Sequence, residues 1–319
     1  MLNNLVNKAI KKAPLSRSEI DFLISCPIDE LCKAALKIKE NFFGNKIEFC
    51  SIINAKSGLC PEDCKFCAQS AHYKTNIKEY PFIDIKGIEQ QAKKLKSNGV
   101  KRLSIVISGK SPTKSDLLKI ESSLKIIEKS GLIGDASVGI LNKDDLLRLK
   151  KASLNGFHRN LEVSEGFFRN ICTTHKYKED IETVKTAMQL GFYVCSGGIF
   201  GVGEGWKDRI ELALTLKKLK VHSIPLNFLT PIKGTPLENM PILKEEEALR
   251  IIAVYRFLLA DKQIRVCGGR NTVFSPKTKR RVLLCGASGL MVGNYLTTKG
   301  FDITSDLKDL KELNMQLLQ

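Results

Sequence analysis

Long hydrophobic runs are absent from the sequence, and acidic and aromatic residues are scarce. The longest apolar stretch, residues 251–260, is interrupted by Arg256, whereas a membrane-spanning helix needs roughly 18 to 20 apolar residues. We therefore expect no association with a membrane. The N-terminus, MLNNLVNKAIKK, has neither an apolar core nor a small-residue cleavage site, so we expect no secretory signal and a cytoplasmic protein.

The shortage of acidic residues gives a formal net charge of +17, from 51 Lys and Arg against 34 Asp and Glu. Such a balance raises nucleic acid as a partner. The lysines are spread along amphipathic helices, as at Lys93, Lys96 and Lys150, and aromatic residues make up only 7% of the chain. We interpret the charge as a source of solubility and of attraction for acidic ligands, and we expect no nucleic-acid partner.

Ten cysteines accompany this composition. In a chain without an export signal they predict reduced thiols, because disulfides do not persist in the cytoplasm. The hydrophobic content of 43% over 319 residues is enough for a large core, which excludes a disordered protein and a small disulfide-stabilised domain. The spacing of the cysteines then indicates whether they bind a metal, take part in catalysis or pack in the core.

Short apolar strands alternate with amphipathic helices from residue 47 onward. The predicted strands cover residues 47–54, 102–108, 134–140, 157–162, 192–197, 222–227, 263–267 and 290–293. The helical patterns between them cover residues 86–99, 114–130, 142–155, 178–190, 206–220, 244–261 and 277–286. Eight strands separated by seven helices indicate an α/β protein of the (β/α)8 TIM-barrel class, with a doubly wound open sheet as the alternative.

We predict a single barrel domain with short additions at both ends. Residues 1–45 would form helices that pack on the barrel, and Ser16 and Glu19 form a candidate capping box for one of them. Residues 46–300 would form the barrel, and residues 301–319 a C-terminal tail. In barrels of this class the chemistry lies at the C-terminal ends of the strands.

Three cysteines, Cys60, Cys64 and Cys67, lie in the loop after the first predicted strand. Three thiolates within eight residues are a metal-binding spacing. Zinc would need a fourth ligand, which His72 is near enough to supply. An iron–sulfur cluster with four irons needs only these three ligands and leaves one iron open. A single arm of three cysteines on an enzyme-like barrel favours the cluster.

The segment from Asn54 to Tyr73, NAKSGLCPEDCKFCAQSAHY, resembles the biotin synthase family of radical S-adenosylmethionine (SAM) enzymes. Two further stretches are similar to the same family: VCSGGIFGVGE at residues 194–204, and IPLN at 224–227 followed by KGTPL at 233–237. The Cys-x3-Cys-x2-Cys motif alone would indicate only the superfamily. Three similar segments in the right order are more specific, and the resemblance extends from about residue 36 to residue 300.

The resemblance implies a [4Fe-4S] cluster on Cys60, Cys64 and Cys67 whose open iron binds SAM. In this family, an electron splits SAM into methionine and a 5′-deoxyadenosyl radical, which removes hydrogen from dethiobiotin. Two C–H bonds become two C–S bonds, so two such events are needed for each ring. A closed, dry pocket protects such a radical. The resemblance also implies an electron donor such as flavodoxin or ferredoxin, and a homodimer.

The resemblance further implies roles for five residues. Phe66 matches an aromatic position that lies against the adenine of SAM. Asn160 and Glu162 match an Asn and an Asp that contact dethiobiotin and the cofactor ribose, although Glu162 is one methylene longer. Asn227 matches an Asn that contacts the ureido ring. His158 stands where the family usually has Asn, and both a ligand contact and a purely polar strand-end role stay open.

The sequence departs from the family at the second cluster. The better-known members of the family hold a [2Fe-2S] cluster on three cysteines and one arginine, and this cluster is their proposed sulfur source. Cys195 and Arg265 match two of these ligands, and Arg265 joins the three motif cysteines as a predicted catalytic residue. Ser104 and Asp135 stand at the other two positions. A hydroxyl and a carboxylate are poor replacements for soft thiolates, so the usual auxiliary cluster is not predicted.

Other cysteines offer a different ligand set inside the barrel. Cys50 lies on the first predicted strand, and Cys267 lies two residues after Arg265 and therefore faces the same way. We hypothesise an auxiliary iron–sulfur cluster on Cys50, Cys195 and Cys267, with Cys285 as a candidate fourth ligand. The alternative is that these are buried free cysteines.

Two other functions are alternatives to biotin synthesis. One is a sister radical enzyme that rearranges or methylates a small molecule without a second cluster. The other is a zinc-bearing, basic nucleic-acid binder. A radical enzyme would be brown and oxygen-sensitive, whereas the zinc protein would be colourless.

The remaining cysteines have no partners at ligand spacing and are interpreted as structural: Cys26, Cys32 and Cys172.

Overall fold

Parallel strands close into a barrel in the computed structural model, which describes residues 1–318. The strands are β1 Lys46–Lys56, β2 Arg102–Ile107, β3 Ile133–Ser137, β4 Gly156–His158, β5 Tyr193–Cys195, β6 Gly198–Phe200, β7 Ser223–Phe228, β8 Gln263–Val266, β9 Gly289–Met291 and β10 Gln316–Leu317. Pairing runs β1–β2–β3–β4–β5–β7–β8–β9, and β9 returns to β1 through Glu48 and Cys50. This closure confirms the predicted (β/α)8 class, because a doubly wound sheet would leave its edge strands unpaired.

The strand predicted over residues 192–197 forms only as β5, and an unpredicted strand, β6, follows it. β5 ends at Cys195, and β6 begins at Gly198 and pairs with β7. A Cβ atom on Gly197 would lie 2.0 Å from the carbonyl oxygen of Pro225, and one on Gly198 would lie 2.3 Å from that of Glu162. These two glycines therefore allow neighbouring backbone segments to approach each other.

Three helices precede the barrel: α1 Leu2–Ile10, α2 Arg17–Ser25 and α3 Ile28–Phe43. The capping box is confirmed at the start of α2, where Ser16 Oγ accepts a hydrogen bond from the Glu19 amide at 3.2 Å. The Glu19 carboxylate accepts one from the Ser16 amide at 2.8 Å. Pro27 ends α2 and serves as the N-cap residue of α3, since a proline N–H is not needed there.

The helices that alternate with the strands lie close to their predicted positions. They are α4 Ile85–Ser97, α5 Lys114–Lys129, α6 Lys143–Lys151, α8 Tyr177–Gln189, α9 Trp206–Leu219 and α10 Glu245–Leu258, with single turns α7 Glu165–Phe168, α11 Arg270–Val273 and α12 Arg281–Leu284. The helix predicted over residues 277–286 is wrong, because only the turn α12 forms there. The side chain of Lys279 is buried in this segment and binds Asp306 at 2.9 Å, which an amphipathic surface helix would not allow.

Helix α10 is buried on all sides from Ala248 to Leu258, because it lies between the barrel and the N-terminal helices. Its fully buried Arg256 donates hydrogen bonds to the carbonyl oxygens of Gly286 at 2.8 Å and Ala260 at 2.9 Å. Its guanidinium also lies over the ring of Phe43 at 5.0 Å. Full hydrogen bonding compensates the cost of burying this charge.

The predicted C-terminal tail contains regular structure. Helix α13, Ile303–Glu312, is followed by β10, which pairs with the start of β1. Buried Arg270 binds Asp306 of α13 at 3.0 Å and so attaches this helix to the barrel. The boundaries predicted at residues 45 and 300 stay a prediction.

A disulfide joins Cys32 of α3 to Cys285, which follows α12. The expectation of ten reduced thiols is therefore wrong, and so is Cys285 as a candidate fourth cluster ligand. Its sulfur is already bonded, and Cys285 is not among the residues that line the barrel cavity. The partners are separated by 253 residues, so their spacing in the sequence carried no signal of the pairing.

Candidate active site

A cavity of about 310 Å³ lies within the barrel, mostly walled by residues at or just beyond the C-terminal ends of the strands. This is where a barrel of this class carries its chemistry. Nine residues singled out from the sequence line this cavity: Cys50, Phe66, His158, Asn160, Glu162, Cys195, Asn227, Arg265 and Cys267. Residues far apart in the chain are thereby brought to one space.

The loop that carries Cys60, Cys64 and Cys67 follows β1. The Cys60 amide donates to the carbonyl of Gln69 at 3.0 Å, and the Cys67 amide donates to the carbonyl of Cys64 at 2.9 Å. His72, the alternative zinc ligand, is exposed, and its Nε2 lies 2.9 Å from the carbonyl oxygen of Pro61. Within residues 1–318, no group of metal-ligating atoms gathered within 4.8 Å includes His72. The fold therefore gives no support to a zinc site that uses this histidine.

Asp63, inside the cysteine motif, attaches this loop to the segment after α7. Its carboxylate accepts hydrogen bonds from the amides of Thr173 at 2.8 Å and Thr174 at 3.2 Å. Burial favours the neutral acid, but the hydrogen bonds from Thr173 outweigh it and hold the pKa of Asp63 well below its usual range. Asp63 therefore fixes the motif loop against the neighbouring segment.

Cys172 is buried against this loop, with its Sγ 3.7 Å from Sγ of Cys64 and 3.2 Å from Nδ1 of His175. Hydrogen bonding from Cys64, opposed by burial and assisted by His175, lowers the pKa of Cys172 to about 5. Although burial acts in the other direction, Asp180 and Cys172 raise the pKa of His175 to about 10. Sequence reasoning missed this pair and interpreted Cys172 as structural. The Cys-x2-His spacing was the available signal.

Three thiols lie deeper in the cavity. The mutual influence of the buried thiols of Cys50 and Cys267 lowers the pKa of Cys50 and raises that of Cys267. Burial raises the pKa of Cys195 to about 11, although Arg265 opposes this with its Nη1 3.9 Å from the sulfur. Arg265 also donates to Tyr193 Oη at 3.2 Å and forms an ion pair with Glu48. Three soft thiols on or next to different strands therefore line one cavity with Arg265, and this donor set suits iron–sulfur ligation.

Asp135 and Ser104 do not contribute to such a ligand set. The buried carboxylate of Asp135 accepts two hydrogen bonds from Arg102, at 2.9 and 2.7 Å, and lies 3.1 Å from Nε2 of His158. Burial raises the pKa of Asp135, but His158 and Arg102 together lower it to about 2. Its oxygens are thus already engaged. The hydroxyl of Ser104 is buried without a hydrogen-bond partner among the described residues.

The amides of Asn160 and Asn227 are oriented by backbone. Asn160 Oδ1 accepts from the Gly197 amide at 3.2 Å. Asn227 Oδ1 accepts from Gly268 at 2.9 Å, and its Nδ2 donates to Gly198 at 3.2 Å. Each amide keeps hydrogen-bonding capacity for a ligand, because an amide group offers two donors and two lone pairs.

Glu162 follows β4 with a φ of 65°, an unfavourable conformation for a residue with a side chain. Burial raises the pKa of its carboxyl group to about 7, against the opposing effects of Arg159 and Asn160. Arg159 also lines the cavity, and its Nε donates to Asp180 at 2.6 Å. Sequence reasoning missed Arg159, although it lies between His158 and Asn160.

Comparison with known proteins identifies the family of this chain. Residues 56–216 match the Radical SAM superfamily, and residues 225–316 match the Biotin and Thiamin Synthesis associated domain. The chain is 48% identical to the biotin synthase of Thermodesulfovibrio yellowstonii, over 93% of this chain and 94% of that protein. It is 42% identical to the biotin synthase of Pelotomaculum thermopropionicum, over 100% of both.

The chain belongs to the biotin synthase family. The resemblance based on three sequence segments is therefore confirmed, and neither the sister radical enzyme nor the zinc-bearing nucleic-acid binder is favoured. The family consists of radical SAM enzymes that insert sulfur, and it implies a [4Fe-4S] cluster and SAM as cofactors.

Solved structures share the fold at lower sequence identity. Methylornithine synthase superposes with a TM-score of 0.87 at 20% identity, covering 99% of this chain and 97% of that chain. The FeFe-hydrogenase maturase HydG from Carboxydothermus hydrogenoformans gives 0.83 at 16% identity, covering 99% and 79%. Both likenesses concern the fold alone.

Within residues 1–318, no helix is both long enough and apolar enough to cross a bilayer.

Proposed function

We propose that this chain converts dethiobiotin into biotin by inserting sulfur, with SAM and a [4Fe-4S] cluster as cofactors. The observation that supports this most strongly is the single cavity of about 310 Å³. It joins Phe66, next to Cys67, to three deeper thiols and to the amides of Asn160 and Asn227. A sulfur-inserting enzyme needs a radical source, a substrate and a sulfur source within one enclosed space.

At the upper end, Cys60, Cys64 and Cys67 would hold the [4Fe-4S] cluster. Three thiolates on one loop fit this group, which leaves one iron free for SAM. Phe66 would lie against the adenine, and Glu162 would accept hydrogen bonds from the ribose hydroxyls. When bound, the cluster and SAM supply the chemistry that removes hydrogen from an unactivated C–H bond, twice for each ring.

At the middle of the cavity, Asn160 and Asn227 would bind the ureido group of dethiobiotin. Their amides are held by backbone hydrogen bonds, so little rotamer entropy is lost when the ligand binds. His158, held by Asp135 at 3.1 Å, lines the same wall and would contribute one polar contact. The half-buried guanidinium of Arg159 would attract the carboxylate of SAM or of the substrate.

At the lower end, Cys50, Cys195 and Cys267 would hold an auxiliary iron–sulfur cluster, with Arg265 beside it. Their sulfurs are not all within 4.8 Å of one another, which suits a cluster better than a single ion because each thiolate then binds a different iron. A four-iron cluster on three thiolates leaves one iron that could carry the sulfide to be donated. The engagement of Asp135 with Arg102 supports this altered ligand set over the usual [2Fe-2S] set.

We also propose a flavodoxin or ferredoxin as electron donor, a homodimer as the assembled state, and the cytoplasm as the compartment. These follow from the family, and each can be tested on the purified protein. No nucleic-acid partner is proposed, since the excess of lysine is not accompanied by clustered aromatic residues.

An anaerobic incubation tests the proposed function. Reconstituted protein, SAM, a strong reductant and dethiobiotin are incubated together, and the products are identified by mass spectrometry. Biotin together with 5′-deoxyadenosine supports sulfur insertion. 5′-Deoxyadenosine without biotin would retain the radical enzyme and reject the substrate or the sulfur chemistry.

A further inference from the structure

Cys172 has no part in the proposed chemistry, yet it lies against one of the three motif cysteines. Its Sγ is 3.7 Å from Sγ of Cys64. Among the described residues, Cys64 is the one motif cysteine whose sulfur hydrogen-bonds to another thiol. A disulfide requires about 2.05 Å between sulfurs, so side-chain rotations that bring the two atoms together by about 1.7 Å would suffice.

The two thiols are held together by the backbone on both sides. The Lys65 amide donates to the carbonyl of Ile171 at 2.9 Å, and Asp63 binds the amides of Thr173 and Thr174. Each cysteine is thus next to a residue that crosses between the two segments. The pair would therefore stay together when the cluster ligands are released.

An acid–base group lies beside the pair. Nδ1 of His175 is 3.2 Å from Sγ of Cys172. The imidazole lies between two buried carboxylates, since Nδ1 contacts Glu62 and Nε2 lies 3.2 Å from Asp180. A cysteine next to a histidine that is oriented by a carboxylate is the arrangement of an activated thiol.

We propose that Cys64 and Cys172 form an oxidation-responsive thiol pair that caps Cys64 as a disulfide whenever the protein is without its [4Fe-4S] cluster and meets a peroxide. This protects a cluster ligand in a form that a dithiol reductant can restore. Cys64 is the more accessible of the two sulfurs, since Cys172 is buried and Cys64 is partly exposed.

The step balances in atoms and electrons. The Cys64 thiol gives its proton to the peroxide oxygen that leaves as water, takes up the other oxygen and becomes a sulfenic acid. Cys172 passes its thiol proton to His175 and attacks the sulfur of that sulfenic acid, so the S–S bond forms and the S–O bond breaks. His175 protonates the departing hydroxide to water. Two thiols and one hydrogen peroxide thus become one disulfide and two waters.

Peptide mapping of the full-length, cluster-free protein tests the proposal without SAM or dethiobiotin, so the outcome is independent of the proposed function. The protein is treated anaerobically with one equivalent of hydrogen peroxide, alkylated and digested with trypsin without reduction. We expect a disulfide between the peptide of residues 57–65 and that of residues 170–176, assigned to Cys64 by fragmentation. Cys172 recovered in alkylated form, with Cys64 oxidised to sulfinic acid, would overturn the proposal.

A variant provides the second measurement. Cys172→Ser should rebind as much iron as the wild type before oxidation. After treatment with peroxide and re-reduction, the variant should rebind at most about half as much iron as the wild type. The reason is that a sulfinic acid is not reversed by thiols. Cys26→Ser, which removes another buried thiol, is the matched control and should behave as the wild type. Equal recovery of iron by Cys172→Ser and the wild type would contradict the proposal.

Discussion

Asp135 lies where the family resemblance places a cluster cysteine, and its carboxylate is committed instead to Arg102 and His158. Asp135 and Arg102 are both buried. Removing two charges from water is costly, and the cost is compensated only while both partners are present. At this position the chain therefore has a buried ion pair that contributes to the stability of the barrel, in place of a cluster ligand.

We expect Asp135→Asn to lower the free energy of unfolding by about 3 kcal/mol at pH 7, because Arg102 would be left as an uncompensated buried cation. The pKa of Asp135 is lowered to about 2 by His158 and Arg102, against the effect of burial. Its contribution to stability is thus complete above the unfolded carboxyl pKa, near 4, and is lost as the pH falls through about 2.

Urea unfolding of cluster-free protein at pH 7 and at pH 3 measures this effect. Asp144→Asn, on the exposed face of α6, is the control and should change the free energy by less than about 0.5 kcal/mol. Similar decreases in the free energy of unfolding of Asp135→Asn and Asp144→Asn would show that the buried ion pair contributes no more to stability than an exposed carboxylate does.

Glu162 should show the opposite pH dependence. Because burial raises the pKa of this carboxyl group to about 7, the folded protein loses stability as the pH rises from the unfolded value of about 4.5 through 7. Glu162→Gln should therefore raise the free energy of unfolding by about 1–3 kcal/mol at pH 8 and have no effect at pH 4.

Chemical unfolding at the two pH values tests this expectation, with Glu165→Gln at an exposed position as the control. At pH 8, where the carboxyl group is ionised, the same Glu162→Gln variant should bind SAM more weakly, since it loses a charged acceptor for the ribose hydroxyls. An unchanged stability at pH 8 would show that the native carboxylate carries no desolvation cost.

At the scale of elements, strands and helices were largely predictable because their signals are local. The capping box at Ser16 and Glu19 and the alternation of apolar strands with amphipathic helices are visible in short windows of sequence. Helix α13 and the turn α12 were not predicted, because both depend on tertiary contacts. Buried Lys279 and Arg270 converge on Asp306 from a distant part of the chain.

The disulfide between Cys32 and Cys285 ties the N-terminal helix α3 to the segment before β9. We expect the double variant Cys32→Ser/Cys285→Ser to lose about 2–4 kcal/mol of unfolding free energy, because a long loop is no longer constrained in the unfolded chain. Thiol titration of the denatured protein, with and without prior reduction, measures the bond directly. Ten reactive thiols without reductant would contradict it.

At the scale of the whole molecule, the barrel explains why the site was predictable in part. Cys50, Cys195 and Cys267 lie on or next to different strands, and the inward face of a strand can be inferred from its period of two residues. The closed circuit then brings these positions to one cavity. The contacts of Cys172 with Cys64, and of Arg102 with Asp135, could not be inferred, because they join segments with no shared pattern in the sequence.

We propose that the inserted sulfur comes from a cluster held by Cys50, Cys195 and Cys267. Protein reconstituted with ³⁴S-sulfide and freed of excess sulfide is incubated once with SAM, reductant and dethiobiotin, and the biotin is analysed by mass spectrometry. The wild type and the control variant Cys26→Ala should form ³⁴S-biotin. Cys267→Ala should still form 5′-deoxyadenosine but at least about tenfold less biotin, because the loss of a thiolate ligand weakens metal binding. Unlabelled biotin from the wild type, or undiminished ³⁴S-biotin from Cys267→Ala, would contradict the account.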